Sequence, residues 1–186
     1  MNSAIRVFLS VDIDTPPLIS RISEIQRKLN KEAAKMKLVE ADNIHFTLRF
    51  FGDTPVTKVQ EIKECLSGIS IRPFDIKISG VGAFPNKRRP RVIWIGVTEN
   101  SQIMTDLKLK VDELLRKIGY QPEKTKFTPH ATIARIRNIK DSQLMSSNLD
   151  DLIDEPVGNM KVSKVNMKKS TLTPSGPIYE TLWYIE

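Results

Sequence analysis

The chain contains only two histidines, and both stand in the same local frame: His45-Phe46-Thr47 and His130-Ala131-Thr132. Alternate residues of a β-strand share a face. Read as strands, the first segment turns Phe46, Leu48 and Phe50 one way and His45, Thr47 and Arg49 the other. The second sets Phe127, Pro129, Ala131 and Ile133 against Thr128, His130 and Thr132. Each strand would bury an apolar face and present a histidine with a threonine on the opposite one. Histidine titrates near neutrality and serves as acid or base. Cleaving a phosphodiester needs both, a base to deprotonate water and an acid to protonate the leaving oxygen. A threonine hydroxyl on the same face can hydrogen-bond a non-bridging phosphate oxygen. Two such units facing across a groove would flank one phosphorus in line. Two histidines without a carboxylate or cysteine cluster make a poor metal site, so neither metal nor cofactor is expected.

Length and composition frame this chemistry. The chain has 186 residues, enough for one domain or two tightly packed lobes. It carries 29 Lys and Arg against 22 Asp and Glu, a net charge of +7, which favours nucleic acid, nucleotide or phosphate as partner. With 40% hydrophobic and 27% charged residues, wholesale disorder is excluded. No apolar run approaches the roughly 18 residues of a membrane span. The N-terminus lacks the pattern of a signal peptide. Cys65, the only cysteine, excludes an intramolecular disulfide and a Cys-rich zinc site. A cytoplasmic monomer is expected, without a membrane partner.

The elements that must position the histidines read as follows. Ile5, Val7, Leu9, Val11 and Ile13 share a parity and mark a strand. Leu18, Ile22, Ile25 and Leu29 recur at helical spacing over about 17–34. Residues 44–51 form the first histidine strand. Thr54 as N-cap and Pro55 at the first helical position open a helix with stripe Val59, Ile62, Leu66 and Ile69. Strands follow at 74–80 and 91–97, then a helix on Ile103, Leu107, Val111, Leu114 and Ile118 that Gly119 stops. Residues 127–135 form the second histidine strand. A short helix after Asp141 and strands at 160–168 and 179–185 close the chain. The fold class is α+β with mostly antiparallel pairing. The order strand, helix, histidine strand, helix occurs twice, a sign of internal duplication.

The doubled motif resembles that of the two-histidine (2H) phosphoesterases, within them the RNA 2′,3′-cyclic phosphodiesterases historically called 2′-5′ RNA ligases. That signature runs His-x-Thr-Leu-x-Phe-Leu-Gly early and His-x-Thr-Leu-Ala-Arg late. Here it reads His45-Phe46-Thr47-Leu48-Arg49-Phe50-Phe51-Gly52 and His130-Ala131-Thr132-Ile133-Ala134-Arg135, with apolar swaps at Phe51 and Ile133. The resemblance covers essentially the whole chain. It implies a single 2H domain over 1–186, with two pseudo-symmetric lobes of mostly antiparallel sheet, outer helices and a basic groove between them. It implies metal-independent opening of RNA 2′,3′-cyclic phosphates to 2′-phosphomonoesters, tRNA fragments among the candidate substrates. His130 would be the proton acceptor and His45 the proton donor. Thr47, Thr132 and Arg135 would bind the phosphate. Reverse 2′-5′ ligation exchanges the two proton roles.

By strict alternation Arg135 falls on the apolar parity. The strand must therefore end or bulge near Ala134, or the arginine must reach in from a rim. Lys87, Arg88, Arg89 and Arg91 form a basic loop able to follow RNA phosphates, and Phe8 is a candidate for stacking a base. Trp94 and Trp183 read as core, and Lys161, Lys164, Lys168 and Lys169 as a solvated face. A competing expectation is an RNA-binding or end-protecting module that uses the same scaffold without turnover.

Overall fold

The computed structural model describes residues 3–186. The strands are β1 (Ala4–Asp12), β2 (Ala34–Leu38), β3 (His45–Pro55), β4 (Phe74–Phe84), β5 (Val92–Glu99), β6 (His130–Ile139), β7 (Pro156–Val162), β8 (Val165–Thr173) and β9 (Gly176–Ile185). The helices are α1 (Pro16–Lys28), α2 (Val56–Leu66), α3 (Ser101–Arg116) and α4 (Ser142–Asp151). All strand pairings among the described residues are antiparallel, as expected for the α+β class. They form one sheet in the order β7-β4-β5-β6-β3-β1-β8-β9, with β2 also paired to β6.

The sheet is two four-stranded halves meeting at the histidine strands. β9-β8-β1-β3 lies on one side and β6-β5-β4-β7 on the other. The seam is a single residue pair, Phe46 with Ala131. Both are the central residues of His-x-Thr, so an antiparallel pair centred there gives the two motifs a local two-fold relation. Stepping one residue outward sets His45 towards Thr132 and Thr47 towards His130.

The motif strands also share an interruption. From the histidine onward, β3 and β6 run half-buried, buried, half-buried, buried, buried, exposed. The two consecutive buried residues mark a β-bulge. Leu9 pairs with Arg49 but Ser10 with Thr47, skipping Leu48; Ile93 pairs with Ala134 but Trp94 with Thr132, skipping Ile133. The second bulge resolves the parity of Arg135, returning it to the histidine face. The carbonyl of Ile133 is satisfied by the Val39 N–H at 2.9 Å and the Gln26 side-chain amide of α1 at 2.8 Å. The first bulge corrects the alternation reading of β3. Arg49 turns inward and Phe50 outward.

Other boundaries differ for local reasons. α1 ends at Lys28, because Asn30 accepts the N–H groups of Glu32 and Ala33 and turns the chain into β2. β3 continues to Pro55, which takes the N-cap position of α2; the Thr54 hydroxyl donates to the Gly52 carbonyl instead of capping. The expected strand at 160–168 is two strands, broken at Ser163 and Lys164. β6 begins at His130, with Phe127 to Pro129 outside it. Gly119 ends the α3 segment at φ +93°, as the sequence indicates.

α1 buries Leu18, Ile22 and Ile25, and α2 buries Val59, Ile62 and Leu66, the stripes expected of them. α3 buries Val111 of its expected stripe and packs Leu107, Leu114 and Ile118 partly against the core, but its inward face is wider than that stripe. Ile103 is exposed, and Met104, Lys108, Val111, Asp112 and Leu115 face inward. The charged residues on this face meet Arg49, whose guanidinium donates to Asp112 Oδ1 at 3.1 Å and to the Gln121 carbonyl at 2.7 Å. Lys108 completes the cluster, 2.7 and 2.8 Å from the same carboxylate and 2.8 Å from Glu123. No helix among the described residues is long and apolar enough to cross a membrane.

Candidate active site

A groove of about 900 Å³ lies over the seam, and His45, Thr47, His130, Thr132 and Arg135 all line it. The fold thus gathers all five motif residues on one surface. The ring nitrogens are arranged alike in both halves. His45 Nδ1 is 2.8 Å from the Asn43 carbonyl and His130 Nδ1 is 2.7 Å from the Thr128 carbonyl, each two residues upstream. A carbonyl only accepts, so Nδ1 carries the hydrogen and Nε2 is left to take or give a proton in the groove. His45 Nε2 lies 3.0 Å from the Thr47 hydroxyl, which donates to it while the ring is neutral.

The surroundings of the histidines differ. Phe8 and Tyr179 enclose His45, with ring centroids at 4.9 and 5.4 Å. Burial lowers the His45 pKa from its ordinary value; the Asn43 hydrogen bond and the charge of Asp12 oppose the shift, while Lys168 and Arg135 add to it. Asp12 is the cross-strand partner of His45 and holds Lys168 Nζ at 2.6 Å and Asn166 Nδ2 at 2.9 Å. Lys168 is therefore tied into the site, unlike the exposed Lys161 and Lys164. On the other side, Phe84 and Trp94 approach His130 at 4.9 and 6.0 Å. Trp94 is not core. It opposes Thr132 on the histidine face and lies over Gly82, where an added Cβ would fall 2.2 Å from the indole. Trp183 is half-buried against the core.

Phe8 lines the groove but is 3% exposed, its ring taken up by His45 and Tyr179, so it supports the histidine rather than offering a face to a base. The open aromatic is Phe50, 47% exposed in the groove with the Arg6 guanidinium 5.1 Å from its centroid. Phe50 and Arg135 are equivalent positions, five residues after their histidines. Arg6, Phe50 and Tyr179 escaped the reading of the sequence; a matched bulge in the first motif would have brought Phe50 out. The basic loop does not line the groove. Lys87 pairs with Asp150, Arg88 and Arg89 stand exposed on a turn organised by Asn86, and Arg91 is exposed beside β5. Among the described residues there is no group of three or more His, Cys, Asp or Glu suited to a metal ion.

The LigT-like phosphoesterase family model matches twice, at residues 12–94 and 95–179, each match containing one His-x-Thr motif. The chain belongs to this family. The duplication suggested by the sequence coincides with the two matches. An RNA 2′,3′-cyclic phosphodiesterase of Methanothermobacter thermautotrophicus is 40% identical over 177 residues, covering 94% of this chain and 95% of that protein. One of Aeropyrum pernix is 36% identical, covering 91% and 96%. Among solved structures, E. coli LigT in apo form superposes with a TM-score of 0.77 at 20% identity, covering 98% of this chain and 96% of that one. A Thermus thermophilus protein gives 0.78 at 22% identity, covering 97% of each. At these identities the structures establish the shared fold. Within this LigT-like phosphoesterase, β3 with His45 falls in the first matched segment and β6 with His130 in the second.

Proposed function

We propose that this LigT-like phosphoesterase hydrolyses RNA 2′,3′-cyclic phosphate ends to 2′-phosphomonoesters without a metal. The observation that carries the reading is the convergence of two His-x-Thr units in one groove, each histidine pinned at Nδ1 and left with Nε2 for proton transfer. The names of the relatives support the substrate class. His130 Nε2 takes a proton from water as the water oxygen bonds to phosphorus. The bond from phosphorus to O3′ breaks, and His45 Nε2 delivers its proton to O3′. Thr47, Thr132 and Arg135 hold the non-bridging oxygens, and a base rests on Phe50. An incoming phosphate adds the negative charge that favours a proton on the buried His45. Ligation to a 5′-hydroxyl is the same path reversed. The reading is of one cytoplasmic unit whose lobes each supply one motif.

The test is a short RNA with a 2′,3′-cyclic end, incubated in EDTA with the wild type, followed by identification of the terminal phosphate. A 2′-phosphate supports the reading. Unchanged RNA that is nevertheless bound tightly favours an end-protecting module, and inhibition by EDTA overturns metal independence.

The pH profile is a second check. One histidine must be protonated and the other neutral, so kcat/KM should be bell-shaped and report the ionisations of the pair. Since burial lowers His45, the limb that it sets should lie to the acid side of an ordinary histidine. Asp12→Asn removes a charge that favours the imidazolium and should move that limb further to acid. A limb that stays in place in this variant would separate it from His45.

A further inference from the structure

We propose that β2 is the strand along which the RNA backbone runs away from the reacting end, with Lys37 holding the first phosphodiester upstream of the cyclic phosphate. This rests on the proposed RNA substrate. Lys37 is the cross-strand partner of Arg135, and both line the groove. Like charges set opposite each other across strands repel, and an anion between them turns that repulsion into attraction. Lys37 has no carboxylate partner among the described residues; its ammonium donates to the neutral carbonyl of Ser175 at the β8–β9 turn. A phosphate oxygen is the stronger acceptor for a cation, so Lys37 is free to exchange Ser175 for RNA.

The direction of the path follows from charge along the same segment. Beyond Leu38 the chain becomes acidic, with Glu40 and Asp42 on the groove wall. Towards its start it becomes basic. Lys35 lies two residues from Lys37, about 7 Å along the strand. It opens with Lys31 and Lys140 onto a second cavity of about 540 Å³ whose lining contains no carboxylate. A polyanion leaving Arg135 is repelled at one end of β2 and met by three further cations at the other.

The experiment compares kcat/KM for a mononucleoside 2′,3′-cyclic phosphate, a dinucleotide with the same end and a hexamer with the same end. The variants are Lys37→Gln, the pair Lys35→Gln with Lys140→Gln, and the pair Arg88→Gln with Arg89→Gln. Lys37→Gln should lower turnover of the dinucleotide and hexamer about tenfold and leave the mononucleotide within about twofold. The Lys35 and Lys140 pair should affect the hexamer alone and reduce the slope of log kcat/KM against log salt by one to two. Equal loss on all three substrates, or a length effect confined to the Arg88 and Arg89 pair, overturns the path. A wild type that turns over none of them overturns the proposed function itself.

Discussion

His45→Ala and His130→Ala should each lower kcat on a cyclic-phosphate RNA about a thousandfold, and the double variant should be little worse than either. General acid and general base catalysis each contribute on the order of 10²–10⁴, and groups acting in one concerted transfer are not additive. The pinned Nδ1 atoms make the expectation specific. A ring held by the carbonyl two residues upstream can present only Nε2, so no neighbouring group can assume the task when the ring is removed. Both histidines are half-buried at the start of a strand, so the fold should persist and thermal unfolding should shift by only a few degrees. Loss of activity alongside a collapsed melting transition would instead make the residues structural. Thr47→Val is the milder companion. It removes the hydroxyl 3.0 Å from His45 Nε2 while keeping the shape, and should raise KM as well as lower kcat.

Asp112→Ala should be the most destabilising single substitution outside the groove, at about 3–5 kcal/mol. Arg49, Lys108 and Asp112 are 8%, 2% and 7% exposed, and the one carboxylate serves both cations. Removing it leaves two charges desolvated, with the neutral Gln121 carbonyl for Arg49 and Glu123, at the surface end of Lys108, as the remaining partners. A chain of this size loses about 2–4 °C per kcal/mol, so the melting temperature should fall by about 6–20 °C. Replacing all three charged residues with apolar ones of similar volume should restore much of the loss, as burial without charge carries no such penalty. Should Asp112→Ala melt within two degrees of the wild type, water must reach the cluster and the buried-charge account fails.

The same cluster shows where sequence stopped being legible. The two histidine strands, the apolar stripes of α1 and α2 and the stop at Gly119 follow from periodicity and local chemistry, which a sequence displays directly. The position of Arg49 does not. It depends on a bulge at Leu48, formed without a glycine or proline to announce it, and that bulge turns Arg49 inward to meet Asp112, which also holds Lys108. The bulge at Ile133 was legible only because Arg135 stood at the wrong parity for a phosphate ligand. Applying the same logic to the first motif would have exposed Phe50 as well. The expected helix overran α1 to about 34, and β2 went unread, because the turn at Asn30 depends on side-chain hydrogen bonds that spacing does not encode.

The single-pair seam has one more consequence. A site with true two-fold symmetry could not distinguish the two ester oxygens of a 2′,3′-cyclic phosphate, since either histidine could serve either oxygen and both regioisomers would form. A single product therefore requires broken symmetry. The break is written at the equivalent positions after each bulge, an arginine on one side and an aromatic ring on the other, and in the aromatic enclosure that His45 has and His130 lacks in the same form. On the proposed reading, two matching motifs supply the histidines, and the differences between their surroundings set which ribose oxygen leaves. Exchanging Phe50 and Arg135 would probe regiochemistry, with the ratio of 2′- to 3′-phosphate as the readout.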